Sequence, residues 1–431
     1  MKILRAGQKE FDRYISKVEG RAAPNSPRIE REVRSILEDV RKRGDEALAR
    51  YTRVFDGLRI PIHQVQVKPR EVKGAYGKVP RDFLRTLKKA AQRIRKFHRH
   101  LSKKWVASFE VEEREIRLGQ WRRPLDRVGI YVPGGKASYP STVLMAAIPA
   151  EVAGVQEIVM VTPPQKDGIS PAVLVAADLA GVDQIYQIGG VQAIAALAYG
   201  TESIARVDKI VGPGNQYVAM AKRLVYGDVG IDMVAGPSEI VIVSDENTPS
   251  PFVAADLISQ AEHDEMALAI LITDSEKLGR EVEKEVERQL SFLKRRKVAS
   301  ASLHRRGAIL VVKSPEQAMD LVNRIAPEHL ELAVSRPLSL AKRVKHAGAV
   351  FLGPHTPVAV GDYMAGANHI LPTAGTARFS SPLGVGDFFK RTNLMSFTKR
   401  ALSRFEKDVK RFAEWEGLEG HDQSVRKRMK P

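Results

Sequence analysis

The sequence predicts an α/β fold of two Rossmann-like parallel-sheet domains packed together, with N-terminal helical segments and a small C-terminal tail domain. Three observations lead there. From about Arg127 onwards, short apolar runs rich in Val and Ile alternate with helix-compatible stretches, at the spacing that builds parallel sheets covered on both faces. Several of those runs end in glycine-rich turns, PGGK, GGVQ and GPGN. The chain is 431 residues long with 43% apolar residues, enough for more than one well-buried core.

Composition narrows the function classes. No apolar run reaches the roughly 18 residues of a membrane span, and MKILRAGQKEF lacks the apolar core of a signal peptide, so a cytoplasmic protein is expected. The absence of cysteine excludes disulfides, a thiolate nucleophile and thiolate-bound metal. The net charge of +18 raises the question of nucleic acid. However, the excess lies in helix-patterned segments such as RDFLRTLKKAAQRIRKFHRHLSKK and the terminal SVRKRMKP. Solvated helix faces account for it better, and no zinc-finger, RNA-recognition or basic-zipper pattern accompanies it.

Taken in order, Ser26-Pro27 reads as an N-cap with proline in the first turn, opening a helix to about Lys42 that breaks near Gly44. A second long amphipathic helix covers about 80–104. A strand at 127–132 runs into Pro133-Gly134-Gly135-Lys136, and a helix follows from Pro140. Then come a strand at 157–161, a helix at 171–179, a strand at 184–188 and a helix at 192–198. A strand at 209–211 leads into Gly212-Pro213-Gly214-Asn215 and another helix. In such sheets ligands bind at the carboxyl ends of the strands, where glycines let backbone amides approach phosphates. Three such turns at one edge suggest a nucleotide site, although none is G-x-G-x-x-G and no P-loop is present.

A second block has strands near 240–243, 267–272, 308–312 and 349–352. From Gly361 the chain reads as loops ending in a short helical tail. The implied domain plan is an N-terminal segment (1–20), the helical part of the first α/β domain (21–120), an inserted Rossmann-like domain (121–237), the second part of the first domain (238–380) and the tail (381–431).

The chemistry centres on Ala326-Pro327-Glu328-His329. Proline disfavours helix for the residue before it, so Glu328 and His329 begin a new element and present two proton-transfer groups together. Near the end of the helix starting around Pro251, Gln260 and His263 are three apart and share a face. Asp362, His369 and His421 lie in Gly-, Asp- or Asn-rich contexts. Two imidazoles, a carboxylate and an amide oxygen suit zinc or another first-row divalent ion.

The stretches RVGIYVPGGKASYPSTVLM, GGVQAIAALAYGT, VGPGNQYV, DMVAGPSE, ISQAEHD, IAPEHLEL, GDYMAGANHILPT, GTARFSSPLGV and EGLEGH together resemble the histidinol dehydrogenase family. The likeness runs from about Arg127 to His421. One departure is Gly386, where the family often carries an aromatic residue. The resemblance implies NAD-dependent four-electron oxidation of L-histidinol through L-histidinal to L-histidine, with one bound zinc ion per subunit. It assigns Gln260, His263, Asp362 and His421 to the metal, and the same four to the substrate site. It makes Glu328 and His329 the acid–base pair, Ser238, His329, His369 and Glu416 substrate contacts, and Tyr131, Gln192 and Asn215 NAD contacts in the inserted domain. It also implies a homodimer in which the tail, and with it His421, reaches the partner's site.

On chemical grounds, a neutral His329 with a pKa near about 6.5 suits removal of the alcohol proton, and Glu328 suits activation of the water that adds to the aldehyde. Two other readings are a zinc- and NAD-dependent dehydrogenase of another small amino or sulfonated alcohol, and a non-catalytic nucleic-acid-binding protein.

Overall fold

The computed structural model describes residues 1–21, 26–57, 61–105, 107–134, 138–165 and 168–429. Among these, the strands in chain order are β1 (Lys2–Arg5), β2 (Phe109–Glu113), β3 (Ile116–Pro124), β4 (Arg127–Tyr131), β5 (Glu157–Val161), β6 (Gln184–Tyr186) and β7 (Lys209–Val211). They continue with β8 (Gly230–Ile231), β9 (Glu239–Ser244), β10 (Leu268–Thr273), β11 (Ala308–Val311), β12 (His329–Ala333), β13 (Ala349–Leu352) and β14 (Phe389–Phe397).

They form three sheets. The first has the order β6-β5-β4-β7-β8 and is parallel throughout. The second, β1-β11-β10-β9-β12-β13, is also parallel. Each therefore contains the doubly wound order 3-2-1-4-5, in which the chain starts centrally and reverses direction once. The reversal falls between β4 and β7 in one sheet and between β9 and β12 in the other. Strands β9 and β10 are buried along their whole length, as continuous apolar runs sandwiched between helices must be.

Three differences from the sequence reading have physical causes. The N-terminal β1 joins the second sheet beside β11, a pairing across some three hundred residues that local pattern cannot reveal. Residues 109–120, read as the end of the helical part of the first domain, lie in β2 and β3, which pair antiparallel with each other, β3 also pairing antiparallel with β14. Those strands are largely exposed, so they lack the apolar alternation by which strands are recognised. The tail is accordingly a strand followed by the helices Lys399–Ser403, Glu406–Glu416 and Glu419–Met429.

The helix break expected near Gly44 is a kink within Pro27–Phe55, with Gly44 at φ 46° and ψ −126°. The basic helix Arg81–Trp105 is architectural. Arg95 pairs with Glu151 and donates to Leu179 O at 2.9 Å, and Arg93 donates to Met364 O. The helix thus braces the turn that carries Asp362.

One buried ion pair ties the N-terminal segment to the centre of the second sheet. Arg21 grips Glu239 at both oxygens (2.5 and 2.8 Å) and also donates to Ile325 O at 2.9 Å. Both side chains are almost wholly buried. Removing one partner leaves the other as an uncompensated buried charge. Arg21→Met should therefore destabilise the fold by about 3–5 kcal/mol in urea denaturation, and Arg21→Met/Glu239→Gln should recover part of that loss. Equal stability of Arg21→Met and the parent would contradict this account.

Candidate active site

Glu328 and His329 stand where the Pro315–Ile325 helix gives way to β12. Ala326 caps the helix in the left-handed region (φ 49°), Pro327 follows, and β12 begins at His329. The new element is a strand. Its amino end pairs with that of β9, with His329 opposite Ile240. Glu328 Oε2 accepts from Glu239 N at 2.8 Å, and His329 Nδ1 lies 2.9 Å from Glu239 O. A carbonyl only accepts, so Nδ1 carries the proton. Both side chains are buried.

His329 Nε2 is buried without a hydrogen-bond partner and lies 4.0 Å from Asp362 Oδ1. Asp362 Oδ1 is also 3.9 Å from His369 Nδ1, which approaches Asp362 O at 3.1 Å. Burial acts to lower the His329 pKa, but the adjacent Glu328 carboxylate, then Asp362 and the Glu239 carbonyl, push it up to about 9. This corrects the expectation of an unperturbed neutral imidazole: the carboxylates around it favour the imidazolium. His369 is shifted the other way, down, because burial dominates.

Asp362 sits in the π-helical turn Gly361–Ala365. A Cβ on Gly361 would lie 2.5 Å from Phe351 Cε1, so only glycine allows this turn to close against β13. Gln260 is buried near the end of the Ser250–Ala261 helix. His263 lies in the exposed turn beyond the helix, held by its N–H to Gln260 O at 3.2 Å. The helix itself ends at Ala261, with Glu262 as its C-cap in the helical region, so His263 stands just past the helix rather than on it. Burial and the charges of Asp362 and Glu262 all raise the Tyr363 hydroxyl pKa, with Tyr139 contributing. This places the end of the Ser250–Ala261 helix, the Asp362 turn and the loop after β4 within electrostatic reach of one another. Ser238 immediately precedes β9 and is half-buried.

Among the described residues, no three His, Asp or Glu side chains converge as a metal-binding group. His421 and Glu416 are exposed on the tail helices, which pack on one another, and the single chain does not bring them to the cleft. The side chains named for the metal are an amide oxygen, two imidazoles and a carboxylate, and of these Asp362 stands beside the unpartnered Nε2 of His329. This nitrogen–oxygen set suits zinc or a similar borderline ion.

At the carboxyl edge of the first sheet, Gly190 N donates to the Tyr131 hydroxyl at 3.1 Å, and burial pushes the tyrosine pKa up to about 12. Asp56 accepts from Gly189 N (3.1 Å) and Gln192 Nε2 (3.0 Å), leaving Gln192 Oε1 buried and unpartnered. Asn215 Oδ1 caps the Gln216–Val225 helix by accepting from Tyr217 N and Val218 N. Gly212 N donates to Asp232 at 2.8 Å, and the buried Lys222 bridges Asp232 and Gly212 O. A Cβ on Gly212, at φ +111°, would come within 2.2 Å of Tyr131 O.

The glycine amides expected to cradle phosphate are thus already engaged, at Gly189, Gly190 and Gly212, by Asp56, Tyr131 and Asp232. Here glycine serves close approach of neighbouring strand ends. Gly135 and Lys136 of the PGGK turn lie outside the described residues. Sequence reasoning missed Asp56, Asp232 and Arg21. Arg21 lay near a domain boundary it had drawn, and Asp232 opens the stretch DMVAGPSE, where it was given no role.

Two doubly wound parallel sheets, with a buried carboxylate–imidazole pair at the amino end of one of them, make this an α/β protein with a candidate acid–base site. The histidinol dehydrogenase family model matches residues 19–429. The histidinol dehydrogenase of Syntrophotalea carbinolica is 52% identical over 431 residues, covering 100% of this chain and 99% of its own. That of Bacillus cereus is 54% identical over 397 residues, or 92% of each chain. The crystal structure of histidinol dehydrogenase from Elizabethkingia anophelis superposes with a TM-score of 0.92 at 35% identity, covering 100% of this chain and 98% of that one. The chain belongs to the histidinol dehydrogenase family.

Gly361→Ala forces the Asp362 turn away from Phe351. It should lower kcat/KM by about tenfold or more through misplacement alone, with a melting temperature within a few degrees of the parent. Unchanged kinetics would refute the role given to this turn.

Proposed function

We propose that this cleft carries out both oxidations of L-histidinol, with Glu328 and His329 as the proton-transfer residues. The observation that supports it most is the buried pair itself. Both groups are locked to the start of β9, and His329 Nε2 is left without a partner.

In the first step His329, in its neutral form, takes the hydroxyl proton at Nε2 as a hydride leaves the carbinol carbon. NAD accepts the hydride when bound, and Tyr131, Gln192 and Asn215 are the side chains proposed to contact it. Glu328, with Oε2 3.5 Å from His329 Nδ1, stabilises the imidazolium that forms. In the second step Glu328 takes a proton from the water adding to the aldehyde, and His329 takes a hydroxyl proton from the resulting hydrate as a second hydride leaves, for which a second NAD would be the acceptor, to give the carboxylic acid. Gln260, His263 and Asp362 would hold zinc with His421, and the ion would orient the amino-imidazole substrate and polarise its oxygen. A cation on Asp362 removes part of what raises the His329 pKa, which favours the neutral base. Ser238, His369 and Glu416 complete the substrate contacts.

We further propose a homodimer in which Glu416 and His421 serve the partner's cleft. Both are exposed, and Phe412 and Trp415 on the same tail expose 71% and 93% of their surface, more than an isolated tail has reason to leave in water. The domain plan given above, with the tail exchanged between subunits, fits this arrangement.

NADH formation from histidinol should require zinc after chelation. His329→Gln should slow both oxidations by about a hundredfold or more, whereas Glu328→Gln should chiefly slow histidinal oxidation. Equal slowing of both steps by Glu328→Gln would sink the division of labour. NADH formation from another amino or sulfonated alcohol but not from histidinol would favour the runner-up substrate class. For the dimer, dissociating and mixing inactive His329→Asn and His421→Asn subunits should restore about a quarter of wild-type activity, because each mixed dimer contains one intact site. No recovery in verified mixed dimers would place His421 in its own subunit's site.

A further inference from the structure

We propose that Asp256 and Glu331 form a buried acid–carboxylate pair whose function is positioning: it sets the spacing between the Ser250–Ala261 helix, β12 and the segment leading to Asp362. The inference deepens the metal-site reading above and rests on it.

Glu331 is 3% exposed, and its Oε1 accepts from Val358 N at 3.1 Å. Its Oε2 is buried without a donor from any neighbouring N–H or hydroxyl, and the Asp256 carboxyl lies beside this side chain, the two lining one small cavity. Two carboxyl groups in contact cannot both be charged at neutral pH, so one proton is held between them in a short O–H···O⁻ hydrogen bond. Burial raises the pKa of both carboxyls, and the Asp256 charge raises that of Glu331 further, so the pair retains a proton.

Each of the three elements joined here carries a residue of the cleft. Along β12, His329 precedes Glu331 by two residues and so points to the same face, about 6.6 Å away. Along the helix, Gln260 follows Asp256 by four residues, about 6.0 Å further on the same side. Pairing Asp256 with Glu331 therefore brings Gln260 level with His329, since the two repeats nearly match. Val358, whose N–H Glu331 accepts, is four residues before Asp362. One carboxyl group thus registers the proposed ligands on two separate elements against the base on a third.

A merely structural filler at this point would be apolar. Ile242 and Phe351 flank Glu331 on the neighbouring strands, and Val253 and Ala333 border the pair, so hydrophobic residues of similar volume would pack there without the desolvation cost of carboxyl groups.

The test is zinc affinity of the purified full-length protein, measured by competition with a chromogenic chelator, alongside melting temperature. In Glu331→Gln the amide can accept from Val358 N and donate to Asp256, so affinity should stay within about threefold of the parent, whereas Glu331→Met should lose about ten- to a hundredfold, as loss of a ligand-orienting group does. Asp256→Asn and Asp256→Leu, made on the half-buried helix side, repeat the comparison should Glu331→Met fail to fold. Affinity in the Met and Leu variants equal to the parent's, or loss in Glu331→Gln as large as in Glu331→Met, would overturn the proposal. Parent protein that binds no zinc would overturn the metal reading instead. The pair is then judged by whether kcat/KM differs between Glu331→Gln and Glu331→Met by about tenfold or more, and equality there rejects it.

Discussion

Glu239 is the hub on which the cleft depends. Its N–H is taken by Glu328, its carbonyl by His329 Nδ1, and its side chain by Arg21. Backbone groups at the start of a central strand cannot shift without disturbing the strand on either side, so the pair inherits the rigidity of the sheet. The carbonyl also selects the tautomer. With Nδ1 committed as a donor, the lone pair of neutral His329 is at Nε2, on the side of Asp362. A base aimed by a main-chain carbonyl needs no third side chain to orient it.

The first sheet reaches its form by a different logic. Its reversal point is built from strand ends crowded together, with Gly212 pressed against the Tyr131 carbonyl and the loop amides held by Asp56 and Asp232. The Asp56 carboxylate in that place repels phosphate, whereas Asp232 is balanced by Lys222. With those glycine amides engaged, this edge lacks the free N–H groups that a G-x-G-x-x-G turn presents, and the absence of that fingerprint follows from the arrangement.

Much of the architecture was legible in sequence because it is local. The strands at 157–161 and 209–211 and the helix at 171–179 coincide with the observed elements, since buried parallel strands are continuous apolar runs bounded by turns. What was not legible was either non-local or exposed. β1 finds its partner far along the chain, and β2, β3 and β14 show water too much of their surface to have a hydrophobic signature. Within the cleft, residue types and family likeness pointed to Glu328, His329 and Asp362, which the fold does gather. The raised pKa of His329 could not be read from sequence, because it arises from Asp362, distant in the chain, as well as from its neighbour Glu328. Glu331 left a usable sign: a carboxylate at alternate spacing from a histidine in an otherwise apolar strand.

The pairing of β1 with β11 has a consequence for how the chain is made. At typical translation rates of about 5–20 residues per second, the first strand waits about 15–60 s before its partner emerges from the ribosome. During that interval the strands of the smaller parallel sheet, all between residues 127 and 231, are already available to one another. The nascent polypeptide can therefore complete its nucleotide-fold half while its amino terminus is still an orphan edge. A short strand of four residues, with charged side chains at both ends, is well suited to that wait because it offers little template for aggregation.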